Sequence, residues 1–96
     1  MFTHIVFFKL KDRDSENLNK AKEILLGMEG KIPMLKELTV GIDVVHSQRS
    51  YDIALITKFD SKEDMDKYQV HPVHINEVIK YLKPMLDGSA AVDFEE

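Results

Sequence analysis

A chain of 96 residues, 44% hydrophobic and 31% charged, is long enough for one hydrophobic core only, so we expect a single domain over residues 1–96. Its formal net charge of −4 argues against binding to nucleic acids or anionic membranes, and its lack of cysteine excludes disulfides and thiolate metal sites. Because it has no apolar run of about 18 residues and residues 1–10 do not resemble a secretory signal, the expected location is the cytoplasm.

The N-terminal part predicts a strand followed by a helix. Thr3–Leu10 is rich in β-branched and aromatic residues and is apolar at the centre of both faces, which indicates a strand buried on both sides. Asp14 or Ser15 is expected to cap a helix that runs to about Glu29. Gly30 stands where a C-terminal cap glycine would end that helix.

Two further strands follow and should form a hairpin. Glu37–Val45 is the first of them, and Gly41 inside it suggests a bulge or a close backbone approach. A polar loop leads to Tyr51–Phe59, which again has apolar residues on both faces.

The C-terminal part predicts a helix that is broken in two. Asp60 and Glu63 have the spacing of a capping box, so a helix is expected from there to about Gln69. Pro72 interrupts it, and because proline is tolerated in a first helical turn, a second helix should run from there to about Leu82.

A turn at Asp87–Ser89 and a short last strand, Ala90–Phe94, complete the order β-α-β-β-α-α-β. Without the helix break this is the ferredoxin-like β-α-β-β-α-β motif, an α+β fold with a four-stranded antiparallel sheet and all helices on one face. Strands one and three would leave large apolar side chains exposed on the other face. Burial of each of these side chains would stabilise the protein by roughly 1.5–3 kcal/mol. We therefore predict a homodimer whose sheets pack face to face as a barrel.

Among the four histidines, His4 is the one predicted to lie in a strand. It alternates with Val6 and Phe8, so its side chain should point to a buried face. It is then either a hydrogen-bonded core histidine or a polar group that faces a cavity. His46 falls in a polar loop and is expected to be exposed, without a role.

The densest cluster of polar chemistry is the segment from Tyr68 to His74. With Pro72 as the first helical residue, His71 lies near the N-cap and His74 in the first turn. The helix dipole disfavours an imidazolium there, so His74 should be neutral near pH 7 and able to act as a general base, with Tyr68 presenting its hydroxyl across the break. The simpler alternative is that these residues pin a structural corner.

Cofactor signatures are not evident. The two histidines of this cluster are three residues apart, but no third ligand is near them in sequence, so no metal is expected. The chain also has no glycine-rich phosphate loop and no dinucleotide fingerprint. Any catalysis should therefore be acid–base chemistry on a carbonyl compound without a cofactor.

These features resemble the stress-responsive dimeric α/β-barrel (Dabb) family over nearly the whole chain. The YQVHPVH segment is the most specific part. The resemblance implies a ferredoxin-like subunit and a dimer whose sheets enclose a cavity, and most members have no assigned activity. It rests on four segments: HIVFFKLKD (His4–Asp12), IPML (Ile32–Leu35), the stretch Tyr51–His74, and VDFE (Val92–Glu95).

One plant member of this family is a polyketide cyclase that performs an intramolecular aldol condensation without metal or cofactor. Its catalytic tyrosine and histidine correspond to Tyr68 and His74, and another histidine of its pocket corresponds to His4. The resemblance thus marks Tyr68 and His74 as candidate catalytic residues and all three as candidate substrate-binding residues.

Three interpretations remain open from the sequence. The first is a stress-responsive dimeric barrel that binds a small apolar or aromatic molecule in a cavity between sheet and helices. The second is a cofactor-free cyclase or lyase that uses the tyrosine–histidine pair, and the third is a structural stress protein without a ligand. A heme-degrading or quinol-oxidising monooxygenase would rest on analogy of fold alone.

Overall fold

The computed structural model describes residues 1–96 as one antiparallel sheet covered on one side by helices. The sheet has the strand order β2-β3-β1-β4, so the predicted ferredoxin-like α+β fold is confirmed. None of the helices is both long and apolar enough to cross a membrane. The strands are β1 (Phe2–Leu10), β2 (Glu37–Ile42), β3 (Ile53–Phe59) and β4 (Leu86–Glu95). The helices are α1 (Ser15–Leu26), α2 (Lys62–Gln69) and α3, which consists of a π-helical segment (Val73–Ile79) followed by an α-helical turn (Lys80–Leu82). A separate 3₁₀ turn (Lys83–Met85) joins α3 to β4.

The cross-strand register assigns alternate residues to opposite faces of the sheet. In β1, His4 pairs with Thr57 on one side and Asp93 on the other, and all three point toward the helices. Their neighbours point the other way and form what we call the helix-free face. It comprises Thr3, Ile5, Phe7 and Lys9 of β1, Glu37, Thr39 and Gly41 of β2, Ala54, Ile56 and Lys58 of β3, and Gly88, Ala90, Val92 and Phe94 of β4.

The hydrophobic core lies between the sheet and the helices. Helix α1 contributes a stripe at helical spacing, and Ala21 and Leu25 within it are fully buried. Phe59 of β3 and Tyr68 of α2 are also fully buried and pack on each other, with ring centroids 5.0 Å apart. This contact fixes the end of α2 against the sheet.

Helix α1 ends earlier than predicted, at Leu26 rather than near Glu29. Beyond it the chain continues in tight turns, in which the backbone N–H of Met28 donates to the Leu25 carbonyl at 3.2 Å. Met28 remains fully buried, so its apolar position belongs to the core although it lies outside the α-helix. Gly30 adopts a φ of +78°, which is the left-handed conformation that favours glycine, and it closes these turns instead of capping the helix directly.

The hairpin of β2 and β3 is confirmed, but both strands are shorter than predicted. Regular pairing ends at Ile42 and Ile53, so the flanking residues belong to the loop. The predicted bulge at Gly41 is wrong, because this residue pairs in register with Ala54 and nothing lies within 4 Å of the position that a Cβ atom would take.

The second helix begins one residue later than the predicted capping box. Ser61 is the cap, and its hydroxyl accepts from the Asp64 backbone N–H at 3.2 Å, so the pairing of Asp60 with Glu63 is wrong. The helix break before Pro72 is confirmed. The segment that follows is π-helical over seven residues, a rare form that the sequence did not predict.

The last strand is twice as long as predicted. The turn expected at Asp87–Ser89 is wrong, because this segment pairs with the C-terminal end of β1. The register shifts there by one residue, since Lys9 pairs with Gly88 and Leu10 with Leu86. A bulge thus absorbs the turn-like residues and lets the ladder with β1 continue.

Candidate functional site

The structure brings His4, Tyr68 and His74 together although they lie far apart in sequence. The ring centroids of His4 and Tyr68 are 6.3 Å apart, and those of Tyr68 and His74 are 4.6 Å apart. All three line one cavity of about 180 Å3 between the sheet and the helices. Strand β1 supplies the first residue, and the break between α2 and α3 supplies the other two.

Tyr68 is the centre of this group. Its side chain is fully buried at the C-terminal end of α2, and its hydroxyl has no hydrogen-bond partner in the protein. Burial raises the pKa of the phenol well above its usual range, so the group stays protonated and can donate a hydrogen bond. A buried hydroxyl without a partner is uncommon, and here it belongs to a residue that lines a cavity.

His74 lines the cavity and is held in a tautomer that leaves one ring nitrogen free to accept a hydrogen bond. Its Nδ1 lies 3.0 Å from the backbone oxygen of Gln69. A carbonyl oxygen can only accept, so Nδ1 carries the proton and donates it. In the neutral ring, Nε2 then has the lone pair that a general base needs.

The pKa of His74 is lowered, in the direction predicted from the helix dipole. The main cause is different, because burial of the ring contributes most. The nearby rings of His4 and His71 lower the pKa further, and the hydrogen bond to Gln69 opposes the shift. His74 is therefore predominantly neutral near pH 7.

His4 is oriented by a residue that the sequence did not single out. Its Nδ1 hydrogen-bonds the carboxylate of Asp93, its cross-strand neighbour on β4. Since a carboxylate accepts, Nδ1 is the donor and Nε2 is the remaining ring nitrogen. The sequence contains one indication of this role, because Asp93 is an acidic residue between the apolar Val92 and Phe94. Its partner could be named only once the register of β1 and β4 was known.

The other two histidines have local roles. The Nδ1 of His71 accepts from the backbone N–H of Val73 at 3.1 Å, so His71 caps α3 as its predicted position near the N-cap suggests. His46 is exposed, as predicted, and its backbone N–H donates to Asp43 at 2.7 Å. No three histidine or acidic side chains are grouped so that they could hold a metal ion.

The walls of the cavity are apolar. Eight of its eleven lining residues are hydrophobic, and they come from β1, α1, β3 and the helices around the break. Two much larger depressions, of about 520 and 710 Å3, border the helix-free face and contain no histidine, and a third, of about 200 Å3, lies among the loop residues around the exposed His46. Because any partner that covers that face would change those depressions, the smaller cavity is the better candidate for a site.

Comparison with known proteins agrees with this architecture. The sequence model of the stress responsive A/B barrel domain matches residues 2–96. A stress-response A/B barrel domain-containing protein of Arabidopsis thaliana is 30% identical over 92 residues, which are 95% of this chain and 35% of that protein. The chain thus spans about a third of the length of this relative.

Solved structures show the same fold. A dimeric protein of unknown function with a ferredoxin-like fold from Bacteroides fragilis is 31% identical, with a TM-score of 0.83 over 99% of this chain and 95% of that chain. The hydroxynitrile lyase of Passiflora edulis is 18% identical, with a TM-score of 0.78 over 97% of this chain and 90% of that chain. The second likeness is one of fold alone.

Proposed function

This chain belongs to the stress-responsive A/B barrel domain family, and we propose that it binds a small apolar or aromatic molecule with a polar head group in the cavity between its sheet and helices. The observation that carries the proposal is the hydroxyl of Tyr68, which is buried without a protein partner on a residue that lines that cavity. A ligand that accepts this hydrogen bond would remove the cost of leaving the hydroxyl unpaired.

The size and walls of the cavity define the apolar part of the ligand. A dry cavity of about 150 Å3 can hold one benzene ring, so a cavity of about 180 Å3 suits a single-ring compound. Leu25, Leu55 and Leu82 are fully or almost fully buried around it and offer only hydrocarbon surface. The ring of the ligand would lie among them.

The polar groups define the head of the ligand. Tyr68 can donate a hydrogen bond and the Nε2 of His74 can accept one, because the first is protonated and the second is not. A carbonyl oxygen is the acceptor that matches Tyr68. An aromatic ketone or aldehyde therefore fits the cavity better than a hydrocarbon of the same shape.

Acetophenone and α-methylstyrene test the proposal, because they have nearly the same shape and differ in whether the head is C=O or C=CH₂. We expect acetophenone to bind about tenfold more tightly in calorimetric or NMR titrations, the difference that one net hydrogen bond provides. Equal affinities would show that the hydroxyl does not recognise the head group. No binding of either compound would instead favour the interpretation as a structural stress protein.

A second candidate function is a cofactor-free enzyme, and the protonation states of Tyr68 and His74 favour it. The Nε2 of His74 could remove a proton from the carbon next to a carbonyl group. The electrons of that C–H bond then form the enolate double bond, the carbonyl oxygen becomes negative, and the Tyr68 hydroxyl stabilises it by a hydrogen bond. The hydroxynitrile lyase with this fold supports the idea only as an analogy.

Exchange of the methyl protons of acetophenone for deuterium in D₂O tests this step without knowledge of a natural substrate. We expect exchange faster than in buffer, and its loss in the His74→Ala variant, since a positioned base typically accelerates such steps about 10²–10⁴-fold. Binding without exchange would leave the protein a binder rather than an enzyme.

We also propose that the chain forms a homodimer through its helix-free face. Val92 and Phe94 on this face are 52% and 39% exposed, and Ile5, Phe7 and Ile56 beside them are only half-buried. An apolar patch of this kind marks an interaction surface. The Bacteroides fragilis protein, which is described as dimeric, gives independent support. A cytoplasmic location, and no binding to nucleic acids or membranes, stay predictions from composition.

A further inference from the structure

Two of the residues that line the ligand cavity are exposed to solvent, and we take them to mark its mouth. Most of the residues that line the cavity are buried, but Gln69 at the end of α2 and Ile79 in α3 reach solvent. Ile79 is 37% exposed, so part of its side chain lines the cavity and part faces outward. The cavity thus opens between the two helices that flank the break.

The π-helical winding of α3 explains how Ile79 comes to lie at this mouth. The backbone N–H of Lys80 donates to the carbonyl of Ile75, five residues back. This winding stacks residues five apart, whereas an α-helix stacks residues three and four apart. His74 and Ile79 are five apart and both line the cavity, an arrangement that the π-helical winding favours.

Among the polar side chains, His74 lies beside the mouth, whereas the apolar wall lies deeper. His74 is bonded to the backbone of Gln69, which is itself a mouth residue, while Phe8, Leu25 and Leu82 are buried against the core. The rings of Tyr68 and His74 are 4.6 Å apart, so a ligand whose ring lies among these apolar residues and whose carbonyl lies between Tyr68 and His74 would direct its other substituent past Ile79.

We propose that Ile79 is a specificity-determining residue that limits the length of the acyl chain on an aromatic ketone or aldehyde. Its β-branched side chain is stiff at χ1, so it cannot swing aside as readily as an unbranched one. The site then prefers single-ring compounds with a short acyl group. This inference rests on the proposed binding function and adds the size class of its ligands.

Acetophenone and hexanophenone, which differ only in acyl chain length, test the inference with the Ile79→Ala variant. Each extra methylene would strengthen binding if nothing blocked it, so weaker binding of hexanophenone to the wild-type protein would report a steric block. We expect wild type to prefer acetophenone by about tenfold or more, a discrimination that pocket shape can provide. In Ile79→Ala the preference should disappear or reverse, with acetophenone affinity changed less than about threefold.

Ile75→Ala is the matched control, because it makes the same change in the same helix at a residue that does not line the cavity. It should keep the wild-type preference. Ile79→Val, a milder change, should shift the preference in the same direction as Ile79→Ala and keeps the test open if the alanine variant folds poorly. An unchanged preference in both Ile79 variants, or an equal shift in Ile75→Ala, would overturn the inference. If wild type binds neither ketone, the proposed binding function fails first, and the inference falls with it.

Discussion

The two faces of the sheet consist of alternate residues of the same four strands, and yet they carry different chemistry. The helix-side face holds His4, Thr57 and Asp93 among buried apolar side chains, and each of these polar groups has a hydrogen-bond partner. The central part of the helix-free face is almost entirely apolar and is only half-buried or exposed. One face thus encloses a small cavity, and the other offers a surface for a partner.

This difference arises because successive side chains of a strand point to opposite faces of the sheet, so that one short strand can serve both the cavity and the partner surface. His4 and Ile5 are neighbours in sequence, but one lines the cavity and the other lies at the centre of the helix-free face. A slip of the register by one residue would exchange the two sets of side chains. The extensive pairing of β1 with both β3 and β4 holds that register.

The largest expected effect comes from placing a charge on the helix-free face. Ile5→Asp puts a carboxylate at the centre of the proposed dimer interface, where it would be buried without a partner. Such a charge costs about 3–5 kcal/mol, so the dimer should dissociate or fail to fold. Light scattering after size exclusion should give about twice the chain mass of 11.1 kDa for wild type and a monomer or aggregate for the variant.

Val70→Asp is the control for this experiment. It introduces the same charge at an apolar residue that is 69% exposed and lies at the helix break, away from the helix-free face. It should leave the mass unchanged. A wild-type protein that is a stable monomer at micromolar concentration would refute the dimer and leave the exposed apolar face without an explanation.

On the helix-side face, the expected effect is on binding rather than on stability. Tyr68→Phe removes a hydroxyl that has no protein partner, so the free energy of unfolding should stay within about 1 kcal/mol of wild type or increase. The preference for acetophenone over α-methylstyrene should disappear, because the hydrogen bond that distinguishes them is lost. Denaturant unfolding and calorimetric titration measure the two quantities.

Tyr81→Phe makes the same substitution at a tyrosine that is 56% exposed and does not line the cavity. Neither its stability nor its ligand preference should change. If Tyr68→Phe instead lowers stability by well over 1 kcal/mol, its hydroxyl has a structural role and the cavity is better interpreted as a packing defect at the helix corner.

The sequence predicted the fold well because its signals are local and strong. Proline at position 72 and the alternating apolar residues of β1 and β3 each determine an element without reference to the rest of the chain. Two of the errors occur where long-range pairing overrides local preference. Asp87–Ser89 has turn residues but is drawn into a strand by the ladder with β1, and Gly41 needs no bulge because its partner strand stays in register.

The candidate site was only partly predictable for the same reason. Tyr68 and His74 are close in sequence, so their proximity followed from the helix break. Asp93 and Ile79 enter the site through features that no local pattern reveals, namely the register of β4 against β1 and the π-helical winding of α3. The lowered pKa of His74 was predicted in the right direction but from a different cause, since burial of the ring is visible only in the folded structure.

The smallest expected effect is a pH dependence that belongs to the helix-side face alone. Burial lowers the pKa of His74 below its usual value of about 6.5, so below that pH the unfolded chain binds more protons at this residue than the folded protein does. The contribution of His74 to stability is therefore complete above about pH 6.5 and is lost as the pH falls toward the lowered pKa, by at most about 1.4 kcal/mol per pH unit. His4, its partner Asp93 and His71 also lie near this residue, so wild type must be compared with His74→Gln, which removes only the His74 imidazole. Between pH 7 and pH 5 the unfolding free energy of His74→Gln should decline less steeply than that of wild type, whereas His46→Gln, the same change at an exposed histidine, should follow wild type.

Parallel curves for wild type and His74→Gln would mean that His74 titrates alike in the folded and unfolded chain, and the neutral base proposed for the cavity would lose its physical basis.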